Sequence, residues 1–187
     1  MKRAFHSLKN GRPSPVLIEM HRDHMTQEVS NFKQYNSPHQ SKFFPTDDFI
    51  DSAVKLLVES ENPIIWSGQG VLYSSATEEL KELSSLLSLP VITTMPGKSS
   101  FDERNPLSLG SANRTAPKTV WKYLGISDTV FAIGSSLTIT NYGITIPNGK
   151  KIIHSTNNYE DINKDVNYIW QGTVTGEILF LDGIENN

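Results

Sequence analysis

The stretch IIWSGQGVLYSSATEEL, residues 64–80, runs from a continuous apolar segment through two glycines into a pattern with helical spacing. A strand buried on both faces of a sheet reads as an unbroken apolar run. A strand, a glycine turn and a helix in succession form half of a βαβ unit. The fold therefore depends on whether this unit repeats.

It does repeat in both directions along the chain. Upstream, TDDFIDSAVKLLVES has Thr46 or Asp47 as a cap, acidic residues in its first turn, and Phe49, Ile50, Ala53, Val54, Leu57 and Val58 on one apolar face. Asn62-Pro63 ends that helix. Downstream, Ala76, Leu80, Leu83 and Leu87 recur at helical spacing, and PVITT gives a second strand. After a polar connection, APKTVWKYLGI reads as a helix closing at Gly125, and SDTVFAIGSS as a third strand. NGKKIIHST is a fourth strand, DINKDV a short helical turn, YIWQGTV a fifth strand and TGEILFLDGI a final helix. Strands alternating with helices require right-handed crossovers, hence a doubly wound α/β domain with a mostly parallel five- or six-stranded sheet and helices on both faces.

The first part of the chain does not share this rhythm. GRPSPVLIEM reads as a turn plus a strand, whereas QEVSNFKQYNSPHQSKFFP is polar, proline-punctuated and aperiodic, as linkers are. A lone strand ahead of a linker suggests the end of another domain, so the chain reads as cut from something longer. The expected division is residues 1–25 as a remnant, 26–45 as linker and 46–187 as the α/β domain.

Composition narrows the function. Of 187 residues, 37% are hydrophobic and 20% charged, with net charge −3, which gives no electrostatic case for nucleic acid or an anionic membrane as partner. There is no cysteine, which excludes disulfides, thiolate metal sites and cysteine nucleophiles, and fits a cytoplasmic setting.

Single motifs fail one by one. Gly68-Gln-Gly70 begins a dinucleotide fingerprint, but the third glycine position is Tyr73 and the second strand ends in Thr93 and Thr94 where a ribose-binding acid belongs. Gly97-Lys98-Ser99 resembles the end of a P-loop, yet the required upstream glycine is Ile92. Gly134-Ser135-Ser136 lacks the second glycine of a hydrolase elbow. His21 and His24 have no third ligand nearby, and His154, late in an apolar strand, reads as a structural histidine. What survives is placement. Gly68, Gly70, Thr93, Thr94, Gly97, Gly134 and Ser135, with Leu109-Gly110 and His154-Ser155, all follow strands or sit in strand-to-helix loops, so they share one edge of an open sheet. Small residues and hydroxyls there suit a nucleotide lying across backbone amides, and equally suit tight packing; both readings stay open.

The order of motifs is itself informative. NPIIWSGQGV, LPVITTMPGKSSFDERNPLSLG, SDTVFAIGSSL, KKIIHST and DINKD, preceded by GRPSPVLIEM, resemble the thiamine-diphosphate-dependent enzymes of the acetolactate synthase and 2-keto acid decarboxylase group. The resemblance covers essentially the whole chain. It implies a Rossmann-like central domain, of the kind that binds FAD or ADP in some relatives, preceded by the C-terminal end of the pyrimidine-binding domain.

By that resemblance the parent uses thiamine diphosphate and magnesium, held by pyrimidine- and pyrophosphate-binding domains, in a homo-oligomer. By the same resemblance, no catalytic residue, metal ligand or cofactor is expected in this chain itself. Any FAD or ADP would meet Gly68, Gly70, Thr93, Thr94, Gly97, Gly134 and Ser135. One departure counts against flavin. FAD-binding relatives commonly carry His-Ile-Asp-Ile-Asp at the fourth strand, where this chain has His154-Ser-Thr156-Asn-Asn158.

Overall fold

The computed structural model describes residues 2–31, 36, 45–162, 170–172 and 181–183. The chain divides into two compact units, residues 1–42 and 43–187.

In the first unit, helix α1 (Lys2–Lys9) buries no residue. The strand expected at residues 16–20 is not formed; the backbone from 13 to 21 has no regular structure. Leu17 is 86% exposed, and Ile18 and Met20 are also exposed. A strand is held by a neighbour's ladder and a covered face, and this segment has neither among the described residues.

The second unit is the doubly wound sheet. Its strands are β1 (Pro63–Ser67), β2 (Val91–Thr94), β3 (Ser108–Ala112), β4 (Thr129–Ile133), β5 (Lys151–Ser155), β6 (Trp170–Gly172) and β7 (Leu181–Gly183). Their order is β3-β2-β1-β4-β5-β6-β7. All neighbours pair in parallel except β6 and β7, which are antiparallel. The expected mostly parallel sheet is thus present, with six parallel strands. Two elements differ from the expectation. β3 falls in the segment read as a polar connection, and Leu181–Gly183 extends the sheet where a helix was expected. The remainder of that expected helix, and most of DINKDV, lie outside the described residues.

Helices cover both faces. On one, α5 (Lys118–Ile126) sets Val120 and Leu124 against Ile64, Trp66, Ile92, Val130, Ala132 and Ile152. On the other, α2 (Asp47–Val58) and α4 (Thr77–Leu87) set Ala53, Leu57 and Leu80 against Ile65, Val91, Phe131 and Ile153. Alternate residues of β1, β2, β4 and β5 thus serve opposite cores, which explains why these four strands are apolar runs.

α2 packs less of its apolar face than the sequence suggests: Ala53 and Leu57 are buried, while Ile50, Val54 and Val58 form an exposed stripe at intervals of four. α5 runs one residue past Gly125, which therefore lies inside the helix rather than terminating it.

Candidate functional site

The chain passes from β1 through β2 to β3 on one side of the sheet, then returns to the other side of β1 as β4. In open α/β sheets the loops diverge at such a switch point, beyond the carboxyl ends of the strands, and leave a ligand crevice. The seven residues expected to meet a nucleotide are all at this edge, whereas Leu109 and Gly110, expected in a strand-end loop, lie within β3. Gly68 follows β1, Gly70 opens the single-turn helix α3 (Gly70–Tyr73), Thr93 and Thr94 end β2, Gly97 follows them, and Gly134 and Ser135 follow β4.

The two loops at the switch point touch each other. The Gly70 N–H donates to the Gly134 carbonyl at 2.8 Å, and the Gly68 N–H donates to Ile133 at 2.8 Å. A Cβ added to Gly68 would lie 2.2 Å from the Gly134 oxygen, and one on Gly70 would lie 2.6 Å from Gly134 Cα. Gly134 has φ +62° and would place a Cβ 2.7 Å from the Val71 nitrogen. Gly97 closes the third side, where a Cβ would be 2.6 Å from the Ser67 oxygen. Glycine is required at all four positions because backbone meets backbone.

The polar groups of this edge are also engaged within the chain. The Gly134 N–H donates to Ser155 O at 2.7 Å, which ties the loop to β5. The Gly97 N–H donates to Thr94 Oγ1 at 3.0 Å, Thr93 and Ser111 hydroxyls pair at 3.0 Å, and Ser135 Oγ accepts from the Leu137 N–H at 3.3 Å. Beneath them the fully buried hydroxyls of Ser67 and Ser100 pair at 2.6 Å.

Ser100 and Ser111 were not singled out in the sequence. Their only sequence signal is a small hydroxyl residue in a loop or a weak strand, which becomes meaningful once its distant partner is known.

His154 is fully buried and its Nε2 lies 2.6 Å from Ser135 O. Burial pushes its pKa below the ordinary value, against smaller upward influences from that carbonyl and from Asp161. The ring is therefore neutral, with the proton on Nε2, because a carbonyl oxygen can only accept. It pins the Gly134-Ser135 turn to β5. Thr156 and Asn158 hold a turn of their own, the Asn158 N–H donating to Thr156 Oγ1 at 3.2 Å.

At the opposite edge, the amino ends of the strands, a groove of about 440 Å³ lies among Leu57, Val58, Leu87, Pro90, Tyr123 and Ile126. Nearby, Asp128 accepts from the Glu61 and Asn62 N–H groups at 2.9 and 3.0 Å. Burial pushes the Asp128 pKa up, but these bonds and those from the amides of Asp128 and Thr129 outweigh it and hold the carboxyl below its ordinary range. Lys150, buried and with its pKa lowered by desolvation, donates to the Gly125 and Ser127 carbonyls at the end of α5. Among the described residues no group of three or more His, Cys, Asp or Glu side chains converges as metal ligands would, and no helix is long and apolar enough to cross a membrane.

Comparison with known proteins gives a consistent picture. Residues 50–177 match the family described as thiamine pyrophosphate enzyme, central domain. An acetolactate synthase large subunit from Cyanidium caldarium is 39% identical over 115 residues, covering 57% of this chain and 20% of the relative. A glyoxylate carboligase from Escherichia coli O157:H7 is 30% identical over 158 residues, covering 82% of this chain and 27% of the relative. An X-ray structure from Mycobacterium smegmatis, described as that of a thiamin diphosphate-dependent enzyme, shares the fold with a TM-score of 0.58 at 19% identity, covering 79% of this chain and 28% of that one. The chain spans less than a third of the length of the curated relatives it matches.

Proposed function

The chain belongs to the thiamine pyrophosphate enzyme central-domain family, and from that premise we propose that it serves as the architectural centre of a thiamine-diphosphate-dependent enzyme acting on 2-keto acids or related carbonyl compounds. The observation that carries this reading is the family match across residues 50–177, which spans the six parallel strands β1 to β6 of the sheet.

When bound in the parent, thiamine diphosphate supplies an electron sink for making or breaking a bond to a carbonyl carbon. The described residues do not fit that group. Magnesium on a diphosphate is held by one or two protein carboxylates beside the phosphate oxygens, and the loops that follow β1, β2 and β4, residues 67–70, 93–98 and 134–137, carry no carboxylate. We therefore assign cofactor binding to pyrimidine- and pyrophosphate-binding domains outside this chain, with residues 1–25 as the tail of the former, 26–45 as linker and 46–187 as the central domain.

This domain's contribution is spacing and rigidity. Gly68, Gly70, Thr93, Thr94, Gly97, Gly134 and Ser135 close the switch point by contacts within the chain. The exposed stripe Ile50, Val54 and Val58 suits burial against other domains or subunits of a homo-oligomeric parent. A cysteine-free composition supports a cytoplasmic setting.

Calorimetric titration of the purified chain tests this division of labour. Thiamine diphosphate with magnesium should give no saturable heat, and neither should FAD or ADP, because each nucleotide would have to displace the loop bonds already made. Saturable thiamine diphosphate binding would overturn the reading. Saturable FAD or ADP binding, weakened by bulk at Gly68 or Gly134, would turn the closed edge into a nucleotide site.

A further inference from the structure

Two buried side chains carry a polar atom with no hydrogen-bond partner among the described residues: Nε1 of Trp66 and Nδ1 of His154. Their positions in the sheet are related. Trp66 pairs in register with Ala132 on β4, and Ala132 pairs with His154 on β5. Residues in register on parallel strands share a face, so the three lie in one row across the sheet. The core packing agrees. Trp66, Ala132 and Ile152 belong to the core under α5, while Ile153 belongs to the opposite core, which puts His154 back on the α5 side.

The two unpartnered atoms are complementary. An indole Nε1–H can only donate. With its Nε2–H given to Ser135 O, the neutral imidazole presents Nδ1 as an acceptor. Two strand steps separate the Cα atoms of Trp66 and His154 by roughly 9.5 Å, and the residue between them is alanine, with one methyl group to fill the interval. Both residues are at most 5% exposed, so bulk solvent does not satisfy either atom. A buried donor and a buried acceptor left unmatched each carry the full desolvation cost of a polar group, and internal water molecules typically occupy such places.

We propose that one buried water molecule lies over Ala132, accepting from the Trp66 indole Nε1–H and donating to His154 Nδ1, and so ties β1 to β5 across β4. This bridge lies directly beneath the glycine loops and completes the path by which His154 fixes the Gly134-Ser135 turn.

The test is NMR on the 15N-labelled chain. Long-range proton–nitrogen spectra should show His154 protonated on Nε2, with an Nδ1 shift typical of an acceptor. The Trp66 indole proton should show a cross-peak at the water frequency. Absence of that cross-peak, with a dry, unbonded indole shift, would overturn the proposal from the wild-type protein alone. Ala132→Ser, whose hydroxyl can take the water's place, and Trp66→Phe, which removes the donor, should each abolish the signal. For Ala132→Ser this means loss of the Trp66 cross-peak; for Trp66→Phe it means a move of the His154 Nδ1 shift toward that of a nitrogen without a hydrogen bond, the Nε2 proton being kept by Ser135 O. Persistence of those signals in a folded variant would place the water elsewhere and likewise overturn the bridge.

Discussion

At the carboxyl edge of the sheet the chain touches itself backbone to backbone, whereas at the amino edge it is held by side chains around an open groove. The carboxyl edge has Gly68, Gly70, Gly97 and Gly134 interlocked, with added Cβ atoms falling within 2.2–2.7 Å of main-chain atoms. The amino edge has Asp128 and Lys150 capping turns and helix ends, with roughly 440 Å³ of open space beside them. In a doubly wound sheet the loops at the switch point usually diverge beyond the carboxyl ends of the strands, whereas here the β1 and β4 loops meet backbone to backbone. Small residues at strand ends are thus ambiguous until the engagement of their amides is known. The same difference sets how each edge responds to substitution. Backbone contacts cannot shift locally, whereas side-chain contacts can be lost one at a time.

The largest effect should come from Gly68→Ala. The new methyl would meet a carbonyl oxygen and a Cα of the β4 loop, neither of which is a flexible side-chain end. A loss of at least about 4 kcal/mol, or failure to fold, is expected in urea unfolding. Gly134→Ala should behave similarly, with the added strain of its φ of +62°. Near-native stability for Gly68→Ala would show that the two loops separate readily, and the contrast between the edges would collapse.

At the amino edge, Asp128→Ala should cost about 1–3 kcal/mol, because it leaves the Glu61 and Asn62 N–H groups without their acceptor yet removes no backbone contact. The sign with pH follows from its lowered pKa. The carboxylate's contribution is fully present above the ordinary aspartate range and is lost as pH falls through the lower folded value, so wild type and variant should converge in acid. A gap that persists unchanged into acid would show that packing, not the carboxylate, holds this turn.

His154 gives the carboxyl edge a pH dependence at a different place on the scale. Its folded pKa is depressed, so below the ordinary histidine range the unfolded chain binds a proton that the folded chain refuses. Stability should be complete above about pH 6.5 and fall below it, by up to about 1.4 kcal/mol per pH unit until the folded value is reached. His154→Gln should flatten this slope in unfolding curves taken from pH 7 to 5. An unchanged slope would assign the acid sensitivity to other groups.

These effects also show what could be read in the sequence. β1, β2, β4 and β5 were legible because both their faces are covered, which writes the strand as an apolar run. β3 was not. SLGSA is small and polar, and becomes a strand only through pairing with β2, with a register shift between Val91 and Ile92 and Gly110 at φ +103°. Local propensity was overridden there by a partner distant in sequence. The apolar face of α2 was legible as a pattern, but the sequence did not distinguish Leu57, which is buried, from Val58, which is 65% exposed. At the candidate site, the loops and their shared edge were legible from the βα rhythm. That Gly70 meets Gly134 was not, because nothing local to either glycine records the contact.

Gly125→Ala sharpens the comparison from the other side and should have the smallest effect, with the opposite sign. Gly125 is also a glycine after an apolar stretch, and the sequence assigned it a terminating role. It lies within α5, outside the left-handed region, with nothing within 4 Å of an added Cβ. Its carbonyl, which accepts from Lys150, is unaffected by the new methyl. Alanine there should restrict the unfolded chain and favour the helix, raising stability by about 0.5–1 kcal/mol in thermal or urea unfolding. Glycines at the two edges would then differ by several kcal/mol for the same added carbon, a difference set by what each faces. A destabilising Gly125→Ala would mean that the amino edge is also closed by main-chain contact, and the distinction between the edges would fail there.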